Sequence, residues 1–226
     1  MRWMRLLVAA SGLAGWQYAA AQARDGSVRG QLTMLEKGSK PARDLGAAVV
    51  YLEGPGPAAP PLTVDIAIND KEFTPRVVVV PVGSSVRFPN YDPFDHNAFS
   101  ASDPNGFDLG QYGRGEARAR VFEHAGLVRV FCNIHPRMVA FILVVTSRHY
   151  TQPAADGSFT IPTVAPGTYT LHVWHERSPE VTRGLTVSAA GLSGVDVQLD
   201  ARGFRWAAHK NKYGRDYPTD AGFDRY

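Results

Sequence analysis

The chain has 226 residues, with 24 Lys and Arg against 21 Asp and Glu and a formal net charge of +3. So small an excess argues against nucleic-acid binding, which needs a concentrated basic face. Hydrophobic residues at 44% suffice for ordinary cores, and a single cysteine excludes an internal disulfide.

In chain order, the first signal is an export segment. Arg2 and Arg5 precede a short apolar run, Leu6 to Gly15, and Ala21-Gln22-Ala23 fits a small-x-small cleavage site. Residues 1–23 therefore read as a signal peptide cleaved near Ala23. The run is shorter than the ~20 apolar residues of a comfortable bilayer span. No other stretch is long enough to cross a membrane, and no cysteine near the cleavage site offers a lipid anchor. Removing Arg2 and Arg5, with no acid, takes the net charge from +3 to +1, three minus two.

Beyond the signal the texture is all-β. Strand-like runs recur at Val28–Thr33, Ala47–Leu52, Thr63–Ile68, Arg76–Val80, Ser85–Phe88, Arg118–Phe122, Gly126–Phe131, Val139–Val145, Ser158–Ile161, Gly167–Trp174, Glu180–Val187 and Ser193–Leu199. Turn residues separate them, as in sandwiches or barrels. No helical periodicity is convincing, and a short helix at Phe107–Arg114 has no supporting pattern.

The block from Leu62 to Ser147 carries the chemistry. Cys132-Asn133-Ile134-His135-Pro136-Arg137-Met138 sets a thiolate, an imidazole and a thioether in one tight loop. His96 lies upstream, before Asn97. Two His, one Cys and a weak axial Met form the trigonal set that suits a blue-copper electron-transfer site. Val128, Val130 and Cys132 share one strand face, and Val139–Val145 returns as an apolar strand, so two packed strands would hold the loop in register. Taken singly, Cys132 reads as a buried small hydrophobe, His135 as a loop histidine and Met138 as core. Jointly, and in order, the metal site wins.

At these residues the sequence resembles the cupredoxin family, with a short loop most similar to the amicyanin type. The resemblance implies one copper ion held strongly by His96, Cys132 and His135 and weakly by Met138, with the Asn97 backbone bonded to the Cys132 sulfur. It also implies that one His135 edge meets an apolar surface through which electrons leave. Arg137 departs from amicyanin-like loops, which carry an apolar residue there. A cation beside that edge would raise the potential and favour an acidic partner.

The flanks resemble a different sandwich. Asp156–Pro162 and Pro166–Val173 are turn-plus-strand segments similar to the carboxypeptidase-regulatory-like (transthyretin-like) module. The usual opening of such a module, a Gly-x-Val-type strand and a Pro turn, lies earlier, at Val28–Leu32, Lys40-Pro41 and Ala47–Leu52. The expected organisation is an insertion: a signal over 1–23, one sandwich built from 24–61 and 148–201, and a Greek-key copper domain over 62–147 spliced between its strands. Gly54–Pro61 is the entry linker. A basic, aromatic tail over 202–226 is expected to be ordered or to dock a partner. Proteins with this double-module look are sometimes labelled methylamine-utilisation proteins.

Other residues offer less. His172 and His175, three apart on a strand, would face opposite ways and read as surface or edge positions. His124 reads as turn surface, and Asp92 and Asp95 as solvated loop acids. No Gly-x-Ser-x-Gly elbow or phosphate loop is present, so no enzyme is expected. The leading expectation is a periplasmic one-electron carrier working with a redox protein such as a cytochrome or a dehydrogenase. The alternatives are a copper carrier or store without redox cycling, and an adhesin with a relict copper loop.

Overall fold

The computed structural model of the chain describes residues 26–217. The expected signal peptide and residues 218–226 of the tail lie outside them. Among the described residues the regular structure is strands and two single 3₁₀ turns, at Lys37–Ser39 and Leu45–Ala47. No helix among them is long and apolar enough to cross a membrane.

Strands β1 (Gly26–Leu35) and β2 (Val49–Glu53) come first. Ten follow before residue 146: β3 (Thr63–Asp65), β4 (Ala67–Asn69), β5 (Glu72–Thr74), β6 (Val77–Pro81), β7 (Ser84–Pro89), β8 (His96–Ser100), β9 (Phe107–Tyr112), β10 (Ala117–Phe122), β11 (Gly126–Phe131) and β12 (Val139–Val145). Five close the chain: β13 (Tyr150–Thr151), β14 (Ser158–Val164), β15 (Gly167–His175), β16 (Ser178–Val187) and β17 (Leu192–Asp200). The segment at 107–114, considered for a short helix, opens as β9. It is a strand because it pairs antiparallel with β8, from His96 opposite Tyr112 to Ser100 opposite Phe107.

The first two strands pair with the last five. β1 lies between β14, antiparallel, and β17, parallel; β2 lies between β13 and β15, with β16 outside. Val28, Leu32 and Met34 of β1, Val50 and Leu52 of β2, Phe159 and Ile161 of β14, and Leu171 and Val173 of β15 fill the core between these two sheets. Gly30 is required there. A Cβ at that position would lie 1.9 Å from the Val195 carbonyl oxygen, so only glycine lets β1 and β17 approach. The chain leaves through the exposed Gly54–Pro61 linker and returns at Ser147, where a bridge from Ala58 to Ser147 ties exit to entry.

The strands between form a second pair of sheets, β6-β12-β11-β8-β9 and β10-β7-β3, with the β4-β5 hairpin beside them. Two parallel pairings, β12 with β6 and β3 with β7, require crossover connections rather than simple hairpins. Val78, Val80, Val86, Phe88, Phe122, Val128, Val130 and Ile142 fill this core, and Cys132 and Met138 belong to it.

Strand β12 serves two cores. In β12, Ala140, Ile142 and Val144 face the second core, while Val139, Phe141, Leu143 and Val145 face a third cluster that also holds Val49 and Tyr51 of β2 and Trp174 of β15. A strand buried on both faces reads as an unbroken apolar run rather than an alternating one. The third cluster joins the two sandwiches. At its edge Arg76 makes a two-pronged ion pair with Glu176, at 2.7 and 2.8 Å, and lies over the Phe141 ring.

Candidate metal centre

Three donor atoms meet at the end of the second sandwich. Val128 and Val130 of β11 point inward, and Cys132, one residue past the strand, continues that face and is fully buried. The chain turns with the Met138 amide donating to the His135 carbonyl at 3.1 Å and the Cys132 amide facing the Met138 carbonyl at 3.4 Å. These two contacts close the seven-residue loop before β12 begins. His96 opens β8, which pairs with β11 through Phe99 and Phe131. His96 is also fully buried.

The Cys132 sulfur lies 3.9 Å from His96 Nδ1 and 3.7 Å from His135 Nδ1, and the two Nδ1 atoms are 3.2 Å apart. These three residues are the one group of convergent metal-type donors among the described residues. Nitrogen and sulfur atoms bound to one cation at about 2.0 and 2.3 Å stand roughly 3–4 Å from each other, so the triangle accepts a metal without rearrangement. Met138 is buried in the same apolar cluster as Cys132.

Behind His96 stands a carboxylate that sequence reasoning misassigned. Asp92 is not a solvated loop acid but is buried, with its Oδ2 2.7 Å from His96 Nε2. With the proton on Nε2 donated to Asp92, the Nδ1 lone pair points at the other two donors, the arrangement in which a carboxylate orients a metal-binding imidazole. Asp92 in turn accepts the amides of Asp70 and Lys71, at 2.7 and 2.9 Å. Both residues have left-handed φ, 55° and 59°, in the two-residue turn between β4 and β5. That turn conformation aims two successive amides at one carboxylate. Asp95, by contrast, is exposed. Phe94 packs on both imidazoles, with centroids 5.2 Å from His96 and 5.7 Å from His135.

Electrostatics ready these groups for a cation. Burial pushes the Cys132 thiol up, against the amides of Asn97, Ile134 and His135 that face its sulfur. Burial, then the neighbouring His96 and Lys71, lowers His135 to about 4. Burial also lowers His96, although Asp92 opposes it. Asp92 itself is held below the ordinary carboxylate range, because the Lys71 and Asp70 amides and His96 outweigh its burial. Both imidazoles are therefore biased toward the neutral form, the one that binds metal.

The remaining histidines do not join this group. His172 stacks on Tyr51 and lies between Glu53 and Glu180. His175 is fully buried next to Asp44 rather than at a surface or edge, because it follows Leu171 and Val173 on the strand face that packs inward. His124 is exposed. His209, in the tail, stacks on Phe131 at 4.2 Å. The tail contacts had no signal in the sequence beyond their unusual aromatic content.

The family model described as polysaccharide lyase family 4, domain II, matches residues 145–193. No curated protein matches the chain. Solved structures similar to it include a purple cupredoxin from Nitrosopumilus maritimus, 24% identical with a TM-score of 0.33, covering 36% of this chain and 99% of that one. A copper-containing nitrite reductase from Thermus scotoductus is 29% identical with a TM-score of 0.36; the match covers 42% of this chain and 25% of the reductase chain, so the chain spans about a quarter of that enzyme. An amicyanin variant is 20% identical with a TM-score of 0.35, covering 37% and 82%. The structural neighbours are thus cupredoxins, over 36 to 42% of the chain.

Proposed function

We propose that His96 Nδ1, Cys132 Sγ, His135 Nδ1 and the Met138 thioether hold one copper ion, and that the protein carries single electrons between redox partners in the periplasm. The observation that carries this reading is the convergence of two imidazole nitrogens and the sole thiol in one triangle, with Cys132 and His96 buried and His96 already hydrogen-bonded from behind. The soft thiolate and thioether with two imidazoles match copper better than hard cations, which prefer oxygen. Bound there, copper would supply a one-electron couple. The chain's own residues do the rest. Cys132 gives up its proton on loading, Asp92 holds the His96 proton on Nε2, and buried packing around the loop limits rearrangement when charge changes.

The same reading treats residues 62–147 as a metal domain inserted into a sandwich made from 24–61 and 148–201, in keeping with β1 and β2 pairing only with β13–β17. The partner would be a cytochrome or a dehydrogenase, and no chemistry on a substrate is assigned. Titration of the purified protein with Cu(II) tests the reading. A stoichiometric band near ~600 nm, from thiolate-to-copper charge transfer, with a reversible potential supports it. A colourless complex, or one that binds only Cu(I) and releases it to chelators without redox cycling, overturns the electron-carrier role.

A further inference from the structure

The described part of the tail, residues 202–217, runs back over the metal loop and takes hold of the cysteine from several sides. The Tyr217 hydroxyl donates to the Cys132 carbonyl at 2.7 Å. The Lys212 amide donates to Asn133 Oδ1 at 2.9 Å. His209 stacks on Phe131, the residue before the cysteine, at 4.2 Å and 22°, and meets the Tyr217 ring edge-on at 5.2 Å. Residues 131, 132 and 133 are thus each fixed by a different tail residue.

A second line reaches the sulfur from the β8 side. Lys212 Nζ pairs with Asp108 Oδ2 at 2.7 Å. The other oxygen of Asp108 accepts the Asn97 side-chain amide at 2.8 Å, which also reaches the Gly110 carbonyl at 2.9 Å. The Asn97 backbone amide is one of the donors to the Cys132 sulfur. Asn97 Oδ1 is buried without a partner, so the residue is oriented by its amide nitrogen alone.

We infer that Tyr217, Lys212 and His209 are positioning residues of the metal centre: the C-terminal strap sets the place and hydrogen-bond environment of the Cys132 sulfur. The inference rests on the copper reading only for its spectroscopic consequences. A Tyr217 hydrogen bond withdraws electron density from the Cys132 carbonyl and fixes the peptide that follows it, whose neighbours Ile134 and His135 donate amides to the sulfur. Fewer or longer bonds to a thiolate sulfur make it a stronger donor, which lowers the reduction potential and moves the charge-transfer band. In the metal-free protein the same grip keeps the loop closed over a buried thiol.

The test uses the full chain with Tyr217→Phe, which deletes one oxygen, and with Lys212→Met and Tyr217→Phe together. Three quantities are read: the reaction rate of Cys132 with a thiol reagent in metal-free protein, the position of the Cu(II) band, and the reduction potential. Thermal unfolding is followed to establish that each variant is folded. Loss of one hydrogen bond should raise the thiol rate about fivefold, and the double variant more. The band should shift and the potential should fall in the order parent, single, double. Parent-like values of all three overturn the inference. A faster thiol reaction with an unmoved band and potential also overturns it, because the strap would then be a cover and not a positioning device. A parent protein that stays colourless with Cu(II) sinks the copper reading instead, and the thiol rates still decide whether the strap grips the loop.

Discussion

At the scale of single residues, the centre depends on groups that stand behind the donors. Asp92 is the sharpest case. Its carboxylate sets the His96 tautomer and is itself held by two amides of a left-handed turn. Asp92→Asn keeps the shape but turns an acceptor of charge into a neutral amide. Copper affinity should fall about 10–100-fold, measured by competition with a chelator, with little change in the far-ultraviolet spectrum. A second consequence concerns acid. His135 titrates near 4 in the folded protein against 6.5 when exposed. Between those values the unfolded chain binds a proton that the folded chain does not, so metal-free stability is full above pH 6.5 and falls as pH drops toward 4. Urea midpoints at pH 7 and 4.5 should show the loss, and His135→Asn should flatten it. The loop residues Cys132 and His135, which meet with His96 in the triangle, were legible from spacing. Asp92 was not, because a loop acid four residues before a histidine has no strand or helix phase to say that it turns inward.

At the scale of elements, β12 explains why a pattern can be legible as a strand and still hide its role. Its seven buried residues announce burial on both faces, but not which core each face meets. The odd positions, Val139 to Val145, meet β2 and Trp174, residues distant in sequence whose pairing no local period records. Phe141 packs against Trp174 with centroids 5.4 Å apart and lies beneath Arg76. Phe141→Ala should therefore cost about 3–5 kcal/mol by chemical denaturation. Because Ala140 and Ile142 still face the other core, the copper band should survive in the protein that remains folded. β9 carried a weak signal because Gly110 interrupts its alternation, and its pairing with β8, not its propensity, defines it. The strap was legible only as an excess of aromatic residues; which loop it grips is set by tertiary contacts alone.

For the whole molecule, each sandwich has its own apolar cluster and a third joins them. The pairing of β1 and β2 with the closing strands left a trace in the sequence, in the turn chemistry at Asp156-Gly157 and Pro166-Gly167. How the sandwiches lean on each other was not readable, since Val49, Tyr51 and Trp174 look like ordinary strand residues in sequence. Their shared cluster, with the Arg76–Glu176 ion pair, should couple the two units in unfolding. Metal-free protein should give one calorimetric transition, and Trp174→Ala should split or broaden it. Copper added to the parent should raise the transition temperature, because it binds the folded triangle and leaves the unfolded chain with scattered donors. The most direct measurement is the visible spectrum of parent and Cys132→Ser protein titrated with Cu(II). The account predicts an intense band near ~600 nm that saturates at one equivalent in the parent and is absent in the variant. A parent that stays colourless at saturation, or a variant that keeps the band, would contradict it.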